Sequence, residues 1–271
     1  MPHRAWTDQE IEDLARRNAD HAETRLAKWL GADPDDHEVE WIPSRWSSRV
    51  DIGVLPGALQ RAGRIRRRDL FDLADRVMTD AGNRAVEALL IAVVAWGSGN
   101  GCRHGGIPDG DPRGPWRTQQ ALSVPGRPEA IARIRCAVEM TRRDGGWASY
   151  AALSRRNAGK LAAMGESYFT KLIYASGHHR TATPRPLPLI LDTNVRKALV
   201  RERGILKHEE WCLHFTPQAY RQYLLIAQTW AGLWGVPTAS STRSSSSVSA
   251  CNYRPRSATS TRSPCAPKPP I

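Results

Sequence analysis

A lysine and an aspartate are the residues of this chain best suited to covalent chemistry. Arginine carries most of the positive charge, with 33 arginines and only six lysines among the 39 basic residues. One of the six, Lys171, lies in the segment MGESYFTKLIYASG, and Asp192 follows 21 residues later in PLPLILDTNV. A lysine amine can shed its proton and attack carbon, whereas an arginine guanidinium stays protonated. Lys171 is therefore the first candidate for a nucleophile.

Predicted helix termini position both residues. Ser167 is a favoured N-cap, so Lys171 is expected about one turn into a helix, where the positive end of the helix dipole disfavours an ammonium group. Asp192 lies between the apolar residues 187–191 and a helix that begins at Thr193, which it is expected to cap. A solvated helix lysine and an ordinary capping aspartate are the alternative interpretations. The apolar neighbours of Lys171 argue against the first, and a helix, a turn and a second helix could bring both side chains into one cleft.

The spacing of apolar residues predicts a mostly α fold. Helices are expected at residues 8–30, 68–79, 83–96, 129–143, 147–163, 167–176, 193–203 and 216–233. Residues 39–60 could hold a short strand or an irregular packed loop, so little or no β structure is expected on the N-terminal side. Glycine and proline predict a long loop at 97–116. The predicted organisation is an N-terminal helical region (1–80), a catalytic region (81–236) and a disordered Ser/Arg/Pro-rich tail (237–271).

The charge of the chain favours a nucleic-acid partner. The formal net charge is +12, and so basic a surface attracts polyanions. Arg64, Arg66 and Arg67, in a run of arginines, are predicted to contact DNA phosphates, with a merely solvated run as the equal alternative. No apolar run is long enough to span a membrane, so a cytoplasmic location is expected. A monomer is expected as well. The five widely spaced cysteines predict reduced thiols, and no metal or cofactor is expected.

At Lys171 and Asp192 the sequence resembles the 8-oxoguanine DNA glycosylase fold group of the helix-hairpin-helix DNA glycosylase superfamily. The resemblance rests on MGESYFTKLIYASG and PLILDTNVRKAL, and it extends to the apolar residues 89–96 that run into Gly97 and Ser98. It covers residues 83–234. The hairpin departs from the superfamily pattern of two glycines separated by one apolar residue, because Gly165 is followed by Glu166 and Ser167.

The resemblance implies roles for the pair and for the surrounding residues. Neutral Lys171 would attack C1′ of the sugar of an extruded nucleotide, and ionised Asp192 would stabilise the developing positive charge. The resulting imine would also allow strand cleavage as an abasic-site lyase. The residues expected to contact DNA around the hairpin and the second helix are Met164, Gly165, Ser167, Tyr168 and Asn194. The expected base pocket consists of Trp96, Gly97, Ser98, Trp116 and His178, with core packing as the alternative for either tryptophan and a solvated surface position as the alternative for His178.

Double-stranded DNA carrying a modified base is the expected substrate. Glucosylated 5-hydroxymethylcytosine of phage DNA is favoured, because bacterial anti-phage glycosylases look similar to this fold group, and 8-oxoguanine is the alternative. A second hypothesis is a helical DNA-binding module without catalysis. A third is a basic helical protein that binds RNA or a protein partner.

Overall fold

The computed structural model describes residues 6–26, 37–47, 50–98, 128–154, 161, 164–178, 182–197, 199 and 216–235. Within these ranges the fold is mostly helical, which confirms the predicted class. The elements, in chain order, are α1 (Asp8–Leu26), β1 (Glu38–Glu40), α2 (Pro43–Ser47), a 3-10 turn (Ile52–Val54), α3 (Gly57–Arg61), β2 (Arg64–Arg66), α4 (Arg67–Thr79), α5 (Asn83–Ser98), α6 (Pro128–Asp144), α7 (Gly146–Leu153), α8 (Glu166–Gly177), α9 (Thr193–Lys197) and α10 (Pro217–Leu233).

Most of these helices lie where the apolar periodicity predicts them. A backbone break separates α6 from α7 at Gly145, whose φ of 90° is a conformation that favours glycine. The described parts of three helices are shorter than predicted, since α1 ends at Leu26, α7 at Leu153 and α9 at Lys197. The predicted loop at 97–116 beyond Ser98, the predicted base-pocket residue Trp116 and the tail at 237–271 lie outside the described residues.

A two-stranded antiparallel sheet forms on the N-terminal side. Val39 of β1 faces Ile65 of β2, and Glu38 faces Arg66. Ile65 is 1% exposed while the arginines on either side of it are exposed, as expected when alternate side chains of a strand point to opposite faces. Residues 39–60 therefore hold part of one strand together with short helices, and the arginine run supplies the pairing strand.

One hydrophobic core joins the N-terminal and C-terminal parts of the described chain. Helix α5 lies at its centre, with Leu89, Leu90 and Val93 fully buried. Helix α1 packs on α10, where the Trp230 indole N–H donates to the Ala15 carbonyl at 2.9 Å. Although α5 is strongly apolar, no helix in the described ranges is both long and apolar enough to cross a bilayer.

Cys136, on α6, forms a disulfide bond in the structure. The expectation that all the cysteines are reduced thiols is therefore wrong for this residue. The spacing of five cysteines along the chain gave no sign of a pair, because a disulfide depends on tertiary proximity.

Candidate active site

Lys171, in α8, is buried, and its amine has three hydrogen-bond acceptors. Its side chain is only 6% exposed. The amine donates to Asp192 Oδ2 at 2.9 Å, to the Ser167 carbonyl at 3.0 Å and to Ser167 Oγ at 3.2 Å. An ammonium group has three protons, so this set of acceptors matches the charged lysine. Lys171 is therefore not a solvated helix lysine, and its resting form is an ion pair.

The two carboxylate oxygens of Asp192 have separate partners. Oδ2 accepts from Lys171, while Oδ1 accepts from the backbone N–H groups of Asn194 and Val195, both at 3.0 Å. Asp192 thus caps α9 and pairs with Lys171 at the same time. Burial alone would raise the pKa of Asp192, but the Val195 N–H and the Lys171 charge outweigh burial and hold it below its ordinary value of 3.8. The carboxylate is ionised at neutral pH.

Gly97, near the end of α5, lies beside the side chain of Lys171. A Cβ atom placed on Gly97 would lie 3.0 Å from Lys171 Cδ and 3.3 Å from the Tyr168 ring. Only a residue without a side chain lets the α5 backbone approach the lysine this closely. The predicted pocket residue Gly97 is therefore in direct contact with the candidate nucleophile.

The Gly97→Ala variant is expected to displace Lys171 and to reduce its activity. The added methyl group must push the lysine stem by a few tenths of an ångström or more, and a misplaced reacting group loses roughly ten-fold or more in rate. Single-turnover base release on modified duplexes measures the effect. Gly232→Ala is the matched control, because nothing lies within 4 Å of its Cβ position; equal rates for the two variants would contradict the proposed contact.

Trp96 lies in a cluster of aromatic rings beside the lysine helix. It is 7% exposed, and the His37 ring meets it edge-on at 5.1 Å. The Arg67 guanidinium lies 5.6 Å from the centre of the Trp96 ring and 5.4 Å from that of Tyr174. Burial, followed by the Arg67 charge, holds the pKa of His37 below its ordinary value, so this imidazole is neutral at pH 7. Trp96 therefore packs against His37, and Arg67 lies against two rings; the base-pocket role of Trp96 stays a prediction.

The other predicted site residues occupy varied positions. Met164 is 5% exposed. Gly165 is the N-cap of α8, so the prediction of Ser167 as the N-cap is wrong, and Ser167 lies in the first turn of the helix. Asn194 is exposed at the start of α9. His178 stacks on Tyr174 at 4.4 Å, and its Nδ1 lies 3.0 Å from the Pro188 carbonyl oxygen. Ser98 is the last residue of α5.

Arg64 and Arg66 lie apart from these contacts, on the exposed face of β2. Both pair with Glu38 across the hairpin, and the Arg66 Nε lies 3.5 Å from Glu38 Oε2. Their side chains remain 66% and 68% exposed. Exposed ion pairs are weak, typically below about 1 kcal/mol, so both guanidinium groups are accessible to another anion.

Sequence reasoning missed several residues that contact the site. Tyr174 stacks on His178, while Thr170, Tyr220 and Tyr223 hydrogen-bond to the chain that leads to Asp192. Each is also an ordinary core residue type in a helix. Their spacing alone carried no signal that would separate them from packing residues.

A comparison with protein-family models identifies one family. The model described as "Putative 8-oxoguanine DNA glycosylase OGG-like protein" matches residues 32–243. The match contains both Lys171 and Asp192, and it begins well upstream of residue 83, where the motif resemblance starts. The hairpin of β1 and β2 is therefore part of the matched region. Comparisons with curated proteins and with solved structures returned no match.

Proposed function

The chain belongs to the OGG-like 8-oxoguanine DNA glycosylase family, and from this premise we propose that it excises a modified base from duplex DNA with Lys171 as nucleophile and Asp192 as the stabilising carboxylate. The observation that carries the proposal is the buried contact of 2.9 Å between Lys171 Nζ and Asp192 Oδ2. A buried lysine is costly unless it is paired. The paired lysine and aspartate supply the two groups that a covalent base-excision reaction needs.

The reaction begins when the target nucleotide leaves the base stack, because C1′ is inaccessible inside a duplex. Lys171 must then pass a proton to solvent or to the departing base, since an ammonium group has no lone pair with which to attack. The amine forms a bond to C1′ while the bond from C1′ to the base nitrogen breaks, and that electron pair leaves with the base. The proton released by the lysine is available to neutralise the departing base.

Asp192 acts by charge in this scheme. As the base departs, positive charge develops on the sugar, and a fixed carboxylate stabilises it without reorganisation. The lowered pKa of Asp192 makes it a weak base that keeps its negative charge during the reaction. The two N–H groups at the start of α9 hold its other oxygen, so the charge stays in place when Lys171 moves to the sugar.

Strand cleavage is a further part of the proposal. After the lysine bonds to C1′, opening of the sugar ring gives an imine. Loss of a proton from C2′ then breaks the bond to the 3′ phosphate, and water releases the lysine. Detection of a 3′ unsaturated sugar end together with a free 5′ phosphate would support this second step.

Two modified bases are candidate substrates. The description of the family names 8-oxoguanine, and we propose that base first. Glucosylated 5-hydroxymethylcytosine in phage DNA, which the motif resemblance favours, is the second candidate. It would place the protein in anti-phage defence, because base loss disables the incoming DNA.

Release of free base from defined duplexes tests the proposed function. The protein is incubated with duplexes that carry 8-oxoguanine, glucosylated 5-hydroxymethylcytosine or only ordinary bases, and the released base is identified by mass. Release from one modified duplex and not from the ordinary one supports the proposal and identifies the substrate. Tight duplex binding without release from any duplex would instead support a non-catalytic DNA-binding module.

Arg64 and Arg66 are proposed contacts for the DNA backbone. Alternate residues of a strand share one face, so both guanidinium groups can approach the same phosphate backbone. The Arg64→Ala, Arg66→Ala double variant is expected to lose affinity for DNA. The loss should be the same for modified and unmodified duplexes. Because each lost phosphate contact removes close to one unit of the salt dependence, the slope of log K against log salt should fall by about two.

Arg16→Ala is the matched control for the double variant. Arg16 is 55% exposed on α1 and pairs with Glu12 at 2.6 Å, so it too is an exposed, paired arginine. Its loss should leave the affinity and the salt slope unchanged. A double variant that binds like Arg16→Ala would show that the arginines of β2 do not contact DNA.

A further inference from the structure

Side chains hold the irregular segment that leads into Asp192. The Tyr220 hydroxyl donates to the Leu189 carbonyl at 2.8 Å, and the Tyr223 hydroxyl donates to the Ile190 carbonyl at 3.1 Å. At the start of the segment, His178 Nδ1 lies 3.0 Å from the Pro188 carbonyl oxygen. Buried carbonyl groups need donors, and here two consecutive carbonyls receive hydroxyl donors from α10, while the His178 ring nitrogen lies beside the carbonyl that precedes them.

Thr170 connects the lysine helix to the same segment. Its hydroxyl oxygen lies 2.8 Å from the Glu166 carbonyl and 3.3 Å from the Leu191 backbone nitrogen. The single hydroxyl proton goes to the nearer carbonyl, so Thr170 accepts from the Leu191 N–H. Thr170 directly precedes Lys171, and Leu191 directly precedes Asp192. This hydrogen bond therefore fixes the two catalytic candidates in register.

The two tyrosines lie one turn apart on α10 and reach successive carbonyls. Bonds to two successive carbonyls hold the segment at two points. Tyr220 is fully buried and stacks on Tyr150 at 4.3 Å. Burial raises the pKa of Tyr220, and burial together with the nearby Asp192 charge raises that of Tyr223, so both hydroxyls keep their protons.

We propose that Tyr220 and Tyr223 are positioning residues for catalysis, because they hold the chain before α9 so that Asp192 can cap that helix and reach Lys171 at once. This proposal rests on the proposed function of the pair. Neither tyrosine needs to touch DNA. A small shift of the segment would move the carboxylate away from the lysine, and misplacement of about 1 Å can cost roughly 100-fold in rate.

The Tyr223→Phe variant tests the positioning role, and Tyr220→Phe tests the second hydroxyl in the same way. Each removes one hydroxyl and keeps the ring. We expect single-turnover base release at 20 °C to fall roughly ten-fold, with affinity for a duplex carrying an uncleavable abasic analogue within about two-fold of wild type. The control is Tyr150→Phe, because Tyr150 stacks in the same aromatic cluster while the bonds to Leu189 and Ile190 come from the other two tyrosines.

A purely structural role gives a different result. If Tyr223→Phe lowers the melting temperature but releases base at the rate of Tyr150→Phe, the positioning proposal is overturned. Carbon-13 NMR titration of the Asp192 carboxyl supplies a readout that does not need activity. Loosening Asp192 from its donors should raise its pKa in Tyr223→Phe, and an unchanged pKa would also overturn the proposal. A wild-type protein that releases no base would contradict the proposed function alone, and this titration would still decide the positioning.

Discussion

Lys171→Gln is expected to lower the rate of base release by roughly 1,000-fold or more, because Lys171 is the proposed covalent nucleophile and loss of such a group is among the costliest changes an enzyme can undergo. Glutamine is one bond shorter than lysine, and its amide can donate a hydrogen bond but carries no charge. It has no basic lone pair and cannot form an imine. Affinity for a duplex with an uncleavable abasic analogue should stay within about three-fold of wild type, since the buried amine makes its contacts inside the protein.

The matched control for this variant is Lys197→Gln. Lys197 is exposed at the last turn of α9, close in sequence to Asp192. The same change of charge there should leave base release near the wild-type rate. If Lys171→Gln released base as fast as Lys197→Gln, then a water molecule or another residue would be the nucleophile, and the lysine mechanism would be wrong.

Asp192→Asn is expected to have the second largest effect, a loss of roughly 100-fold or more in single-turnover base release. The asparagine oxygen can still accept from Asn194 and Val195, so the cap of α9 is retained. The negative charge that is proposed to stabilise the sugar is lost, and an amide N–H group would face the lysine. The pKa of the wild-type carboxyl lies below 3.8, so protonation of Asp192 should not limit the free enzyme at any pH above that value.

Comparison of Asp192→Ala with Asp192→Asn separates the effect of the charge from that of the helix cap. Asp192→Ala removes both the charge and the cap, and loss of an N-cap costs about 1 kcal/mol. Asp192→Asn should therefore unfold at higher denaturant than Asp192→Ala while both release base slowly. If Asp192→Asn were as stable and as active as the wild-type protein, Asp192 would serve only as a cap.

The sequence predicted features that lie within short segments of the chain better than it predicted contacts between distant segments. The uncommon lysine, the apolar residues around it and the aspartate before a helix are visible within short segments, and the structure places the two side chains 2.9 Å apart. The helices follow from apolar periodicity in the same way. These features depend on neighbours along the chain, where local rules apply.

Long-range contacts were not predictable from the same rules. The arginine run at β2 became a strand because Glu38–Glu40 lies beside it in space. Tyr220 and Tyr223 bond to carbonyl groups 31 and 33 residues earlier in the chain, and such bonds leave no pattern in sequence. His37 and Arg67 pack against the ring of Trp96 from other elements, and no pattern in the sequence indicated those contacts.

Borohydride trapping on a modified duplex tests the lysine mechanism most directly. Borohydride reduces an imine between protein and sugar to a stable amine, so a covalent complex forms only if an amine has attacked C1′. We expect wild-type protein to form this complex with one modified duplex, peptide mapping to place the cross-link on Lys171, and Lys171→Gln to form none. Base release without a trapped complex, or a cross-link on another residue, would contradict the assignment of Lys171 as the nucleophile.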